Sequence, residues 1–118
     1  MDSDRDLRAA SSAGAAFALV RVSSIAQERL GTRSQVVGYS CEVECPLAED
    51  WPDTVVLKHF GVPLLEAGRR YLVGAIDNRR HHGGRELRFA TLAEGAPDDE
   101  VAAFIARRAA VTDSPGLG

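Results

Sequence analysis

Residues 36–45 read Val-Val-Gly-Tyr-Ser-Cys-Glu-Val-Glu-Cys, and the reading of this stretch decides the fold. Counting from Gln35, one face carries Val37, Tyr39, Cys41, Val43 and Cys45. The other carries Val36, Gly38, Ser40, Glu42 and Glu44. Period-two alternation, apolar on one side and small or acidic on the other, is the pattern of a half-buried β-strand. A helix would set Cys41 beside Cys45, but the Val and Tyr content and the period disfavour it. In an extended strand residues four apart are separated by roughly 13 Å, at about 3.3 Å of rise each. A disulfide needs its Cα atoms within about 7 Å. The two cysteines therefore read as reduced thiols packing as small hydrophobes. The alternative is a metal site assembled with His59, His81 or His82, in which Cys45 is the better candidate because Pro46 ends the strand there.

Working outward, Phe17–Ile25 (FALVRVSSI) is β-branched and apolar, and Glu28–Arg33 contains the turn signal Gly31-Thr32. Leu47–Asp53 is a loop around Trp51-Pro52, and Thr54–Phe60 (TVVLKHF) is a third strand broken by Gly61-Val62-Pro63. Arg70–Asp77 (RYLVGAID) is a fourth strand, 78–84 an exposed loop, and Arg85–Leu92 (RELRFATL) a fifth, with Leu87 and Phe89 on one face. The period then changes. Pro97 opens a helix with Asp98, Asp99 and Glu100 in its first turn and Arg107 and Arg108 near its end, complementing the helix dipole. Val101, Phe104, Ile105 and Arg108 form its stripe, with the three apolar residues packing on the strands. Five strands and a closing helix predict a mainly β, five-stranded antiparallel barrel.

At 118 residues the chain is long enough for one domain and one core. The expected organisation is a flexible or weakly helical N-terminal arm over 1–15, a barrel domain with its C-terminal helix over 16–111, and a disordered tail over 112–118. No apolar run approaches the roughly 20 residues of a membrane-spanning helix. The acidic N-terminal stretch lacks the basic region of a secretory signal, so the expected location is cytoplasmic. The net charge of −3 argues against a dedicated nucleic-acid binder. The 14 basic residues are 13 Arg and Lys58. No Gly-x-Ser-x-Gly, phosphate loop or His-Glu-x-x-His is present, and the spacing of Ser40, Cys41, His59 and Asp77 promises no convergence. The chain is therefore read as non-enzymatic, with no cofactor.

The order of features resembles the netrin-like or tissue-inhibitor-of-metalloproteinases branch of the OB-fold. The resemblance is carried by the Val-rich first strand, the long strand through Val36–Cys45, the stretch VVLKHFG, and Leu64–Asp77 (LLEAGRRYLVGAID), which looks like that branch's Leu-x-x-Gly-x-x-Tyr-Leu element. It spans about Phe17 to Leu92 and implies an OB-like barrel. Inhibition of metalloproteinases in that family uses an N-terminal cysteine that chelates the target's zinc. This chain opens Met1-Asp2, has no cysteine before Cys41 and lacks the family's disulfides, so the inhibitor mechanism is not implied.

Charge is distributed unevenly. Arg69 to Arg88 holds six arginines (Arg69, Arg70, Arg79, Arg80, Arg85, Arg88) against Asp77 and Glu86, with His81 and His82 beside them; six minus two is +4. Glu42 to Asp53 holds five acids and no base, or −5. An acidic end and a basic end are expected. The basic loop contains Arg79, Arg80, His81, His82, Arg85 and Arg88, and arginine forks suit oxyanions. Trp51, in its acidic loop, is a candidate protein-contact anchor. These residues form the expected binding site, and the expected function is a protein-binding or assembly module that contacts an acidic partner or self-associates head to tail. The alternative is single-stranded nucleic-acid binding, for which Trp51 and Phe60 are the only candidate exposed stackers among seven aromatics. The third reading is metal binding through Cys45 with His59, or through His81 and His82.

Overall fold

The structure is a computed structural model and describes residues 1–30, 34–77 and 84–112. The elements are α1 (Asp4–Ser12), β1 (Ala16–Leu30), β2 (Ser34–Pro46), β3 (Thr54–Phe60), β4 (Arg70–Asp77), β5 (Arg85–Leu92) and α2 (Pro97–Thr112). The five strands close a barrel in the order β1-β2-β3-β5-β4, consistent with an OB-like fold. Four of the neighbouring pairs are antiparallel, but β3 and β5 run parallel, pairing Leu57 with Arg85 and Lys58 with Glu86. The all-antiparallel expectation is thereby corrected, and the reason is parity. Directions that alternate around a closed ring of five strands cannot return to the start without one parallel pair.

Bulges decide which side chains point inward. Opposite β1, residues Leu19 and Val20 face Cys45 and Val43, so Glu44 is the extra residue. The strand therefore swaps faces at Glu44. Tyr39 and Cys41 line the barrel interior with Val43 packed against them, while Cys45 lies in a second apolar layer with Leu47. A bulge at Arg88 does the same in β5, because Gly74 faces Phe89 and Ala75 faces Leu87. Leu87 belongs to the interior and Phe89 to the outer layer, rather than to one face as the alternation implied. The third bulge, at Ser23, lets β1 bend from β4 toward β2 alone. β1 also runs on past the expected end at Ile25, through Glu28 to Leu30.

The first halves of β1 and β4 are buried on both sides. Ala18, Val20, Tyr71 and Val73 point inward, while Phe17, Leu19 and Leu72 meet Leu7 of α1 and Phe104 of α2. The Phe17 ring lies over Gly74, where an added Cβ would come 2.6 Å from its Cε1. Residues 4–12 of the expected arm form α1. Its N-cap is Ser3, whose hydroxyl accepts from the Asp6 N–H, and Leu7 and Ala10 are buried. Arg107 of α2 ties the helices together through Asp4, 2.8 Å away. α2 extends to Thr112, so Arg107 and Arg108 sit in its middle rather than at its end. Arg108 stacks on Phe17 at 4.5 Å. Ile105 is 53% exposed and Val111 is buried in its stead. The expected tail beyond Thr112 lies outside the described residues.

The Leu-x-x-Gly-x-x-Tyr element has a physical role at each position. Leu65 is buried in the barrel interior, Gly68 adopts φ +85°, and the Tyr71 hydroxyl accepts from the Glu66 N–H at 2.9 Å.

Candidate partner-binding face

β2 and β3 pair from Val36–Phe60 to Glu42–Thr54. Outside the barrel they present Ser40 and Glu42 beside Thr54 and Val56, because these residues alternate with the buried Tyr39, Cys41, Val55 and Leu57. With Ser23 of the β1 bulge, Asp77 at the end of β4, and Gly84 and Arg85 at the β3–β5 seam, they line an open cleft of about 690 Å³. Gly84 is what allows the chain entering β5 to lie against β3: a Cβ there would meet the Val56 carbonyl oxygen at 2.8 Å.

Arg85 closes the cleft at one end. Its guanidinium donates to the Asp50 carbonyl at 2.7 Å, lies 3.6 Å from the Asp50 carboxylate and 3.7 Å from Asp77, and stacks 4.5 Å above the Trp51 ring. Trp51 is therefore only 9% exposed. It is a floor under Arg85 and not an exposed stacker, and its buried Nε1–H has no hydrogen-bond partner in the structure.

The remaining arginines of the basic stretch are dispersed. Arg88 is exposed and bonds Glu86 at 2.9 Å. Arg69 reaches Glu66 at 2.8 Å and Glu94 at 3.3 Å. Arg70 Nε lies 2.7 Å from Glu44 Oε2, with its N–H not aligned along the contact, so this is an ion pair rather than a hydrogen bond. Glu44 also takes Arg21 at 3.0 Å. Arg79, Arg80, His81 and His82 lie outside the described residues. Among the described residues the acidic and basic stretches thus meet inside one molecule, Glu44 with Arg70 and Asp50 with Arg85. The charged lining of the cleft is Glu42, Asp77 and Arg85.

Cys41 and Cys45 are both free. Burial pushes the Cys41 thiol up to about 12, which keeps it protonated and poorly nucleophilic. Ser40, Cys41 and Asp77 do share the cleft, but His59 does not join them. It is buried beside Tyr39, whose hydroxyl lies 2.7 Å from Nε2, and its Nδ1 lies 3.0 Å from the Phe60 carbonyl. Cys45 is roughly 25 Å along β2 from the Val37–His59 pair, at about 3.3 Å per residue. Among the described residues no three His, Cys, Asp or Glu side chains are grouped to hold a metal ion. No helix of the described residues is long and apolar enough to cross a membrane.

The Trp51–Arg85 stack was not apparent from sequence. Its one signal is a tryptophan in an acidic loop paired with an arginine that opens a strand 34 positions later (85 − 51). Comparison of the chain with protein-family models, with curated proteins and with solved structures gives no match.

Proposed function

We propose that the chain is a non-enzymatic binding module that receives a segment of a protein partner on the outer face of β2 and β3. The cleft beside Ser40, Glu42, Thr54 and Val56 carries this reading. It is concave, mixes hydroxyls with apolar surface, and lies on the face where OB-like barrels take ligands. No aromatic ring is among its described lining residues. Phe60, 58% exposed further along the outer face of β3, is a ring on which a base could stack, but it is not among the lining residues of the cleft, whose mixed surface favours a polypeptide. An acidic partner would compete with Asp50 and Asp77 for Arg85 and with Glu86 for Arg88, and would engage Arg79, Arg80, His81 and His82. The netrin-like affinity of the barrel belongs to the same proposal and is supported by Leu65, Gly68 and Tyr71. So does a cytoplasmic setting, supported by two unbonded cysteines.

The test is affinity capture from the native host with wild type, Ser40→Trp and Arg79→Ala/Arg80→Ala, with and without nuclease. Ser40 points to solvent, so the indole fills the cleft without entering the core. A protein that survives nuclease and is lost from both variants supports the proposal. Capture of nucleic acid alone, or of proteins released by nuclease, would replace it with the single-stranded nucleic-acid reading.

A further inference from the structure

β1 closes the barrel with only its first half. Ala16 to Arg21 pair with β4, and the seam runs one step further through the chain entering β4. Val22 N–H donates to the Arg69 carbonyl at 2.9 Å, and its carbonyl accepts from Gly68 N–H at 2.7 Å. At Ser23 the bulge turns the strand away. From Ser24 to Leu30, β1 pairs with β2 alone among the described residues.

The groups left open can be read from the ladder. Gln35 turns its carbonyl to β3, where it accepts from Gly61 N–H at 2.9 Å. Its partner across β1, Arg29, is therefore in a non-hydrogen-bonded pair, and in an antiparallel ladder such pairs alternate. It follows that Ile25, Gln27 and Arg29 direct their N–H and C=O groups away from β2. The segment carries no proline, no lysine and no further bulge after Ser24, and its only charges are the opposite pair Glu28 and Arg29.

We infer that this edge pairs with the same edge of a second copy of the chain. The open positions are complementary to themselves. With a two-fold axis at Gln27, Gln27 faces Gln27, and Ile25 faces Arg29 in both directions, so every open N–H meets an open C=O. Between them Glu28 faces Ala26. No like charges stand directly opposite, the arrangement that destabilises cross-strand pairs. Sliding the register one paired step toward Leu30 would set Glu28 against Glu28, and sliding it the other way would set Arg29 against the bulged Ser23, so the Gln27-centred register is the one that pairs all three open residues without opposing like charges. The result is an isologous dimer with a sheet continuous across both barrels. It is independent of the proposed role of the cleft, and it differs from charge-driven head-to-tail association in being held by backbone hydrogen bonds.

The experiment is sedimentation velocity of the full chain from roughly 10 μM to roughly 1 mM, the range of a small transient interface, at low and high salt. Amide hydrogen exchange is followed at the same concentrations. The expected result is a mass rising from 12.6 kDa toward twice that value, little changed by salt, with protection growing at the Ile25, Gln27 and Arg29 amides. Gln27→Pro removes an outward N–H and spares the β2 ladder. It should weaken association on the order of thirtyfold, the effect of two hydrogen bonds lost at the axis. Gln27→Ala keeps the N–H and should associate like wild type. A monomer at all concentrations overturns the inference. So does a dimer in which those three amides stay unprotected, a reading that needs no variant.

Discussion

The Tyr39 hydroxyl is the node that fixes the connection between β3 and β4, and Tyr39→Phe tests that role. The hydroxyl accepts from Leu64 N–H at 2.8 Å and Leu65 N–H at 3.3 Å, and it lies 2.7 Å from His59 Nε2. A phenol has one hydrogen to donate and two lone pairs to fill. With both lone pairs taken by backbone N–H groups, its hydrogen must go to Nε2, which places the imidazole hydrogen on Nδ1, facing the Phe60 carbonyl. Tyr39→Phe preserves the ring inside the barrel and strips all three bonds at once. Leu64 is exposed enough for its N–H to recruit water, but Leu65 and His59 are buried. A buried polar group left unpaired costs about 1–3 kcal/mol, so the two together put the loss at about 3 kcal/mol. At about 2.1 cal/mol/K per residue of unfolding entropy, that is a fall in Tm of about 12 °C for a chain of 118 residues. Urea unfolding followed by circular dichroism measures it, with Tyr71→Phe as the internal comparison. That variant strips one part-buried bond, from Glu66 N–H, and should cost about 1 kcal/mol. The reasoning fails if Tyr39→Phe costs no more than Tyr71→Phe.

Two further outcomes follow from the packing. Gly74→Ala places its methyl carbon against the Phe17 ring; overpacking of about 1–3 kcal/mol exceeds the roughly 0.4–1 kcal/mol gained from a stiffer unfolded chain, so net destabilisation is expected. Phe17→Leu in the same chain should relieve part of it, and additive losses in a double-mutant cycle would show that the two residues do not clash. Cys41 makes stability depend on alkaline pH. Its folded thiol is raised from 9.0 to about 12 by burial. Below pH 9 both states hold the proton and stability is fully present. Between 9 and about 12 only the unfolded chain releases it, so this group withdraws stability at about 1.4 kcal/mol per pH unit until the folded thiol also ionises. Denaturation under reducing conditions, wild type minus Cys41→Ala, should be flat up to about pH 9 and fall above it; a difference that stays flat through about pH 10.5 contradicts the assignment.

How much of this was legible in the sequence depends on where each feature is encoded. β3, β4 and β5 begin and end where composition places them, because turn residues and β-branched runs are local signals. Bulges are not local. Whether Cys45 follows Cys41 into the barrel depends on how many residues β1 sets opposite Glu44, which the alternation of β2 alone does not contain. α1 was hidden for a related reason. Its buried face is Leu7 and Ala10, too small a stripe to stand out among Asp, Ser and Ala until α2 and the outer face of β4 and β5 are present to cover it.

The charged stretches need a different argument, and it bears on function. A run of six arginines over 20 residues looked like one pole because the chain is contiguous there. A strand separates what the sequence joins: from Arg70 to Asp77, β4 spans roughly 23 Å at about 3.3 Å per residue, so Arg69 and Arg70 sit at one end of the barrel and Arg85 at the other. The acidic stretch is divided the same way, Glu44 falling near the first end and Asp50 near the second, where they meet Arg70 and Arg85. Such ion pairs contribute little to stability when exposed. Their consequence is that an acidic partner must displace Glu44, Asp50 or Asp77 to reach Arg70 or Arg85. In a short barrel, two stretches of opposite sign become each other's partners wherever strands bring them together, and beside its charges the described surface offers shape and backbone for recognising another molecule: the cleft on β2 and β3, and the open edge of β1.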